Sequence, residues 1–514
     1  MFTRRAALAG LAGLAAPALL RAQPTLGGDP FTLGVASGDP APDGFVAWTR
    51  LAPRPLELHG GMPMTPVPVG YEVAEDDDFR QIARRGETMA WPNLGHSVHV
   101  EFAGLEPNRP YWYRFSAGGA RSPTGRGRTA PAAGASLERL RFASVGCQHY
   151  EEGLYTAHRR LAGEELDFVW CYGDYIYEKA GGAIGQPAAP KRGKVRRHIG
   201  DECYSLDDYR LRYAHYRADP DLQAAHAAHS WWTTWDDHET DSNWAADRDQ
   251  DGTPPELFDL RRQAAAQAYY EFMPLRRSAL PLGPSIQIYR RAAYGDLLDC
   301  HFLDTRQFRD DQPCGDEFQP LCPEALAPGR SIMGAAQERW LFEGLAQGTA
   351  RWNLIAQQVM VMQLDRRQVE ADPSFWNMDS WAGYPAARER LLNHLKQANL
   401  HNVVVTSGDE HQHYAGELRA DGADGPVRAV EFVATSISSG GDGEDQQAGS
   451  DQIFADNPHL KFMNSQRGYL LCDVGRDTWR ADFMVLDQVS RPGGNLTRRA
   501  SFAVERGAPG VHRA

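Results

Sequence analysis

Short alternating stretches fill the first quarter of the chain. Phe45-Val46-Ala47-Trp48-Thr49-Arg50-Leu51 alternates after the Pro-Asp-Gly turn at 42–44, and Tyr71-Glu72-Val73 and Val98-His99-Val100-Glu101-Phe102 do the same. A period of two marks strands that show one face to a core. A stretch rich in Gly, Pro and Ala (116–136) reads as a linker. Beyond Leu140 the pattern changes. Arg141-Phe142-Ala143-Ser144-Val145 reads as a strand, Glu152 to Leu161 as a helix, and Phe168-Val169-Trp170-Cys171-Tyr172 as a second strand. That βαβ unit implies a parallel or mixed sheet covered by helices. Trp231–Trp235, Leu297–Leu303, Trp352–Ile355 and Asn402–Thr406 are further predicted strands, and no internal repeat interrupts them.

Leu105-Glu106-Pro107 leads into the Tyr-rich run Tyr111-Trp112-Tyr113-Arg114-Phe115. Such a turn and strand resemble the tyrosine corner of immunoglobulin-like and fibronectin type III sandwiches. Residues 28–130 are therefore expected to form a β-sandwich and residues 137–505 a larger α/β unit. A length of 514 residues agrees with two domains better than with one.

Composition narrows the class. With 42% hydrophobic and 24% charged residues the chain is an ordinary globular protein. Its formal net charge of −13 argues against a general nucleic-acid or anionic-membrane binder, which needs excess Lys and Arg. The first residues stand apart: Arg4-Arg5, an apolar run from Ala6 to Leu20, then Arg21-Ala22-Gln23. This is the layout of a secretory signal over residues 1–22, too short to span a bilayer, and the arginine pair points to the twin-arginine export machinery as a partner. No other window reads as a transmembrane helix, so the expected location is the periplasm or the medium. Of seven cysteines, Cys314 and Cys322 flank a loop with Gly315 and Pro320 and are the best disulfide candidates.

Residues at the carboxyl ends of the strands carry the chemistry. Gly146-Cys147-Gln148-His149, Gly173-Asp174-Tyr175-Ile176-Tyr177-Glu178, Asp236-Asp237-His238-Glu239 and Ser407-Gly408-Asp409-Glu410-His411-Gln412-His413 each come after a predicted strand. In α/β sheets the carboxyl ends of strands form the ligand crevice, so four such clusters would converge there. Carboxylates, a phenol, a thiol and imidazoles are ligands for hard di- and trivalent cations, with the thiolate and phenolate favouring iron.

Gly173-Asp174-x-x-Tyr177 matches the Gly-Asp-x-x-Tyr motif of purple acid phosphatases and the wider calcineurin-like metallophosphoesterases. The fuller resemblance is to the alkaline phosphatase D (PhoD-like) family. It runs through Phe31–Leu51, Gly146-Cys147-Gln148, Gly173–Glu178, Asp207-Asp208-Tyr209-Arg210, Trp235–Glu239, Leu303-Asp304-Thr305-Arg306, Gln357-Gln358 and Ser407–His411. The resemblance implies an αββα metallophosphoesterase domain with mixed sheets behind the sandwich. It also implies an exported phosphatase or phosphodiesterase that attacks phosphate esters with a metal-activated water, using Fe3+ accompanied by Ca2+. Cys147 would stand where other superfamily members have the first metal-binding Asp, Asp174 would bridge the metals, and Tyr177 would bind ferric iron as phenolate. Asp409 and His411 fill the last ligand motif, and Asp237 aligns with the Asn of the Gly-Asn-His-Glu motif as a divalent-metal ligand. His238 would stabilise or protonate the leaving oxygen. Asp241-Ser242-Asn243 replaces an Asn-rich stretch of the relatives, which leaves the role of Asn243 open, and Gln412-His413 departs from the common version too and leaves that of His413 open. The rival readings are a phospholipase D-like phosphodiesterase and a catalytically silent exported binding protein.

Three features border the site without belonging to the ligand set. Arg306 follows a strand and is either a phosphate clamp or a structural ion pair. The basic island Lys191–Arg197 is either a lid over an anionic substrate or a solvated loop. Ile437–Gly443 reads as a flexible loop bordering the cleft.

Overall fold

The computed structural model describes residues 26–181, 194–422 and 424–514. The expected signal at 1–22, and Lys191, Arg192 and Gly193 of the basic island, lie outside the described residues. Two large mixed sheets carry the fold. The first has ten strands, in the order Ala508–Arg513, Leu496–Glu505, Thr478–Leu486, Gly468–Gly475, Arg139–Val145, Phe168–Cys171, Ser230–Thr233, Val35–Ala41, Gly44–Arg50 and Ser97–Glu101. Its centre is parallel and its flanks antiparallel. The second has seven strands and a parallel centre of Leu298–Phe302, Trp352–Ala356, Val403–Ser407 and Val427–Val433.

Alternate residues of each central strand serve two cores. Phe142, Phe168, Trp170 and Trp232 face the second sheet, where Trp170 and Trp232 lie 4.9 and 4.7 Å from the Phe302 ring. Ala143, Val145, Val169 and Trp231 face helices instead, among them Leu206–Arg217 and Pro255–Phe272. The second sheet repeats the scheme: Leu354 and Val404 turn inward, while Ile355 and Val405 meet the helices Gly334–Gln347 and Pro385–Gln397. The layers are thus helix, sheet, sheet, helix. Burial on both faces explains why these strands read as continuous apolar runs.

The amino-terminal region departs from the expected separate unit. A five-stranded sheet that includes Val67–Ala74, Ile82–Ala90 and Pro110–Ala117 packs through Val67, Val69, Tyr113 and Phe115 on Phe45, Ala47 and Val98. Those last three residues, however, sit on strands of the ten-stranded sheet. Val35–Ala41 pairs in parallel with Ser230–Thr233, Ser37 opposite Ser230 and Gly38 opposite Trp231. The join needs a glycine, because a Cβ on Gly38 would lie 2.5 Å from the Pro274 carbonyl oxygen. The chain can be divided near residue 130, but the sheet cannot. At the expected corner, the Glu106 N–H donates to the Tyr111 hydroxyl at 2.9 Å.

Smaller differences have local causes. The helix expected from Glu152 begins only at Thr156. Before it, the Leu154 N–H is taken by the Val489 carbonyl and Glu152 accepts from the Gly440 N–H, so the turn is diverted to distant loops. Cys314 and Cys322 form a disulfide with Cα atoms 5.8 Å apart, and the other five cysteines are buried thiols. Among the described residues no helix is long and apolar enough to cross a membrane.

Candidate metal centre

The four clusters converge, but not from one sheet. Three follow the parallel strands Arg139–Val145, Phe168–Cys171 and Ser230–Thr233, and the fourth follows Val403–Ser407 of the facing sheet. The cleft is the seam between the two sheets. Gly146 and Gly408, one from each sheet, clasp the Tyr172 ring so closely that a Cβ would lie 2.3 or 2.1 Å from it. The chain turns sharply at the donors themselves. Cys147, Asp174, Asp409 and His411 hold left-handed backbone angles, φ 50, 53, 66 and 53°. Each such non-glycine residue costs on the order of 1–3 kcal/mol, a cost retained where function needs the geometry.

The donor atoms form three overlapping groups, in each of which the atoms lie within 4.8 Å of one another: Cys147, Asp174 and His411; Asp174, Asp237 and His238; and Asp236, Asp237 and Asp409. Asp174 belongs to the first two and Asp237 to the last two. Tyr177 joins the first group. Its hydroxyl donates to Asp174 Oδ2 at 2.7 Å and lies 3.2 Å from His411 Nε2 and 2.8 Å from Ser439 Oγ. His238 stacks on the Tyr177 ring at 4.0 Å and is tied through Nδ1 to Glu178 Oε2 at 2.7 Å. Glu239 braces two turns by accepting from the N–H groups of Asp174, Tyr175 and Asp236.

Asp174 Oδ1, Asp236 Oδ2 and Asp237 Oδ1 are buried without a hydrogen-bond partner. Burying bare carboxylate oxygens is costly. Burial, and then the charge of Asp237, pushes Asp174 well above the usual carboxylate range. Asp409 is raised likewise by burial and Asp236, and burial drives Asp236 itself up to about 7 although Arg306 opposes it. Of the four donor aspartates, Asp237 is the one held low: burial works against its charge, but His238 and Arg306 outweigh it. For His238 burial disfavours the cation, and Asp237, Glu178 and Asp174 more than offset it, so its pKa is raised. Burial and then Asp174 lift the Cys147 thiol. So many buried anionic groups with unsatisfied oxygens fit a site completed by cations, which would reverse these shifts. The first group offers sulfur, phenol and imidazole beside a carboxylate, and the third offers carboxylates alone.

Other expectations fare differently. Arg306 is fully buried and does not present its guanidinium to a substrate. Nε donates to Asp236 at 2.6 Å and both terminal nitrogens donate to Asp379 at 2.7 Å, so the structural ion pair is the reading that fits. The Asn243 side chain donates through Nδ2 to Asp316. His413 is buried on a strand beside Phe483, its Nδ1 accepting from the Thr435 N–H. Lys194 pairs with Glu151, and Arg196 pairs with Asp219 and lies over Tyr150, so the described part of the basic island is anchored. Ile437–Gly443 does border the cleft, but Ser438 and Ser439 are fully buried, and Ser439 donates to the Cys147 carbonyl. Asp236 and Asp379 were missed as individuals. Asp236 carried a signal, being adjacent to Asp237 in a strand-end cluster, while Asp379 lies in a segment with no periodicity.

The PhoD-like phosphatase family matches residues 142–483, and its N-terminal domain matches residues 15–131. Alkaline phosphatase D of Bacillus subtilis (strain 168) is 48% identical over 496 residues, which is 96% of this chain and 84% of that protein. A solved structure of PhoD superposes with a TM-score of 0.92 at 48% identity, over 96% of this chain and 93% of that one. These likenesses and the cleft define a phosphate-ester hydrolase of mixed α/β architecture. More narrowly, the chain belongs to the PhoD-like phosphatase family.

Proposed function

We propose that the chain is an exported, metal-dependent alkaline phosphatase and phosphodiesterase with Fe3+ on one side of its cleft and Ca2+ on the other. The observation that carries this reading is the overlap of three donor groups through Asp174 and Asp237, with unsatisfied buried oxygens on both. Cys147, Asp174, Tyr177 and His411 would hold the iron. Asp237 and Asp409, with Asp174 shared, would hold calcium, for which hard oxygen donors are suited. Residues 1–22 are read as a twin-arginine leader to the periplasm or medium and 137–505 as the catalytic domain. Residues 28–130 are read as an immunoglobulin- or fibronectin III-like sandwich, which the Tyr111 corner bond supports.

When bound, such cations lower the pKa of water towards neutrality and neutralise charge on phosphoryl oxygens. The chain's own residues do the rest. Asp174 and Asp237 fix the spacing of the two sides. Ser439 and Asp174 orient the Tyr177 oxygen, and the Tyr177 ring supports the His238 imidazole from below. Glu178 occupies Nδ1 of His238, so a proton for the leaving oxygen departs from Nε2. Arg306 holds Asp236 and does not touch substrate. No side chain acts as nucleophile in this reading. A silent binding role is disfavoured, because a chain without metal chemistry gains nothing from burying these carboxylates.

Activity on an aryl phosphomonoester and a diester, measured after chelation and stepwise metal return, tests the proposal. Calcium should restore turnover on both. Full restoration of the stripped enzyme by zinc alone would refute the metal assignment.

A further inference from the structure

The disulfide-closed turn from Cys314 to Cys322 is remote in sequence from every donor, yet one hydrogen-bonded route from the turn, and a second from Gln312 just ahead of it, lead to the carboxylate side of the cleft. In the first, Asn243 Nδ2 donates to Asp316 Oδ2 at 2.7 Å, and the Asn243 backbone N–H donates to Asp237 Oδ2, also at 2.7 Å. In the second, Gln312 Nε2 donates to the Asn243 carbonyl and to Asp379 Oδ1, both at 2.7 Å. Asp379 in turn grips Arg306, which grips Asp236.

The turn is held in an unfavourable shape. Cys314, Asp316 and Glu317 have φ of 62, 65 and 56°, which L-residues adopt rarely. The disulfide closes it, and a short antiparallel pairing of Phe318 with Asn377 docks it beside the segment that carries Asp379. Asp316 is 8% exposed, and its Oδ1 is buried without a partner. Strain and a bare carboxylate oxygen are both costs to the turn itself. Their return lies elsewhere: Asn243, with φ 52°, is left-handed too, and in that conformation it spans from Asp316 to Asp237.

We propose that Asp316 is a positioning residue for the cation held at Asp237, and that the Cys314–Cys322 disulfide keeps Asp316 in place. The proposal rests on the divalent-cation reading of the cleft and adds residues to it. A donor oxygen is useful only if its lone pair is aimed, and partners in the second layer around a metal typically carry about ten- to hundredfold of its affinity. Asp237 has one oxygen fixed by the Asn243 N–H, which leaves the bare Oδ1 for the cation.

The test uses the full chain with its metals. Asp316→Ala removes the anchor. Asn243→Gly retains a left-handed backbone and the N–H to Asp237 while cutting the link to Asp316. A Cys314→Ser/Cys322→Ser double variant opens the turn. Calcium and iron per chain are measured by elemental analysis after dialysis against graded calcium, together with the visible spectrum. Each variant should need about ten- to hundredfold more calcium for half-occupancy, with iron content and spectrum unchanged. Half-occupancy at the wild-type calcium concentration in both Asp316→Ala and Asn243→Gly would overturn the inference. So would parallel loss of iron and calcium in a folded variant, since that indicates general loosening. A wild-type chain that binds no calcium fails differently: it removes the divalent-cation reading, and this inference with it.

Discussion

Cys147, Tyr177 and His411 stand on one side of Asp174, and Asp236, Asp237 and Asp409 gather on the other. Apart from the shared Asp174, to which Tyr177 donates, the first side is set among neutral groups: Ser439 beside the phenol and the Tyr172 ring beneath the two glycine turns. The second is set in an ionic lattice, where Arg306 and Arg309 meet Asp379, and Arg306 also meets Asp236. Two neighbouring sites in one cleft are therefore steadied by different physics, hydroxyl hydrogen bonds on one side and buried ion pairs on the other. The difference teaches that donor type and support go together. A phenol is oriented by one shared carboxylate and a serine hydroxyl, whereas clustered carboxylates need counter-charge to be buried at all.

The largest effect should come from the residue both sides share. Asp174→Ala should release iron and calcium together and lower kcat/KM by roughly ten-thousandfold, the scale of several kcal/mol of lost electrostatic stabilisation. Retention of one full equivalent of each metal would show that the sides are independent. Next is the proton donor. His238→Ala should reduce turnover about a hundredfold or more for esters with poor leaving groups, and much less for an aryl ester that needs no proton. Glu178→Gln removes a carboxylate that favours the imidazolium, so the alkaline limb of the rate profile should move to lower pH. Equal losses on both ester types would assign His238 another role.

Arg306 sharpens the contrast in support. Arg306→Met leaves Asp236 and Asp379 buried beside each other without their shared cation, and should cost about 3–5 kcal/mol in chemical unfolding. The calcium side should loosen before the iron side. A stable variant with a raised KM alone would restore the phosphate-clamp reading.

Much of this was legible in the sequence because it is local. Strand-end clusters stand out wherever an apolar run stops at Gly or Asp, and the strands Phe168–Cys171 and Val403–Ser407 fall within a residue or so of their expected limits. What pairs with what is not local. Nothing in the alternation of Phe45–Leu51 says that its sheet continues through Val35–Ala41 to Ser230–Thr233, because a parallel partner lies almost two hundred residues away. The same limit hid Asp379 and Asp316, whose importance exists only through Arg306 and Asn243. Arg306 itself had two readings, since a lone arginine after a strand suits a phosphate as well as a carboxylate. Only burial chose between them.

The smallest effect lies away from the cleft and serves as its control. Burial lowers His229 and His301 to about 4. Above about pH 6.5 these rings are neutral in both folded and unfolded chains. As pH falls from there towards 4 the unfolded chain binds protons that the native one refuses, so stability is lost in that window. His229→Gln should flatten the slope of unfolding free energy against pH by at most about 1.4 kcal/mol per unit, without altering metal content. An unchanged slope would mean that the ring is solvated.

One measurement bears most directly on the two-sided cleft: the visible spectrum of the purified chain and of Tyr177→Phe, recorded with iron and calcium contents. The Tyr177 hydroxyl sits on the Cys147 and His411 side, and a phenolate on ferric iron transfers charge in visible light. The account predicts a coloured wild-type protein that holds both metals. It further predicts a folded Tyr177→Phe variant that keeps its calcium and loses the phenolate band. A colourless, active enzyme with stoichiometric iron, or a Tyr177→Phe spectrum identical to wild type, would contradict it.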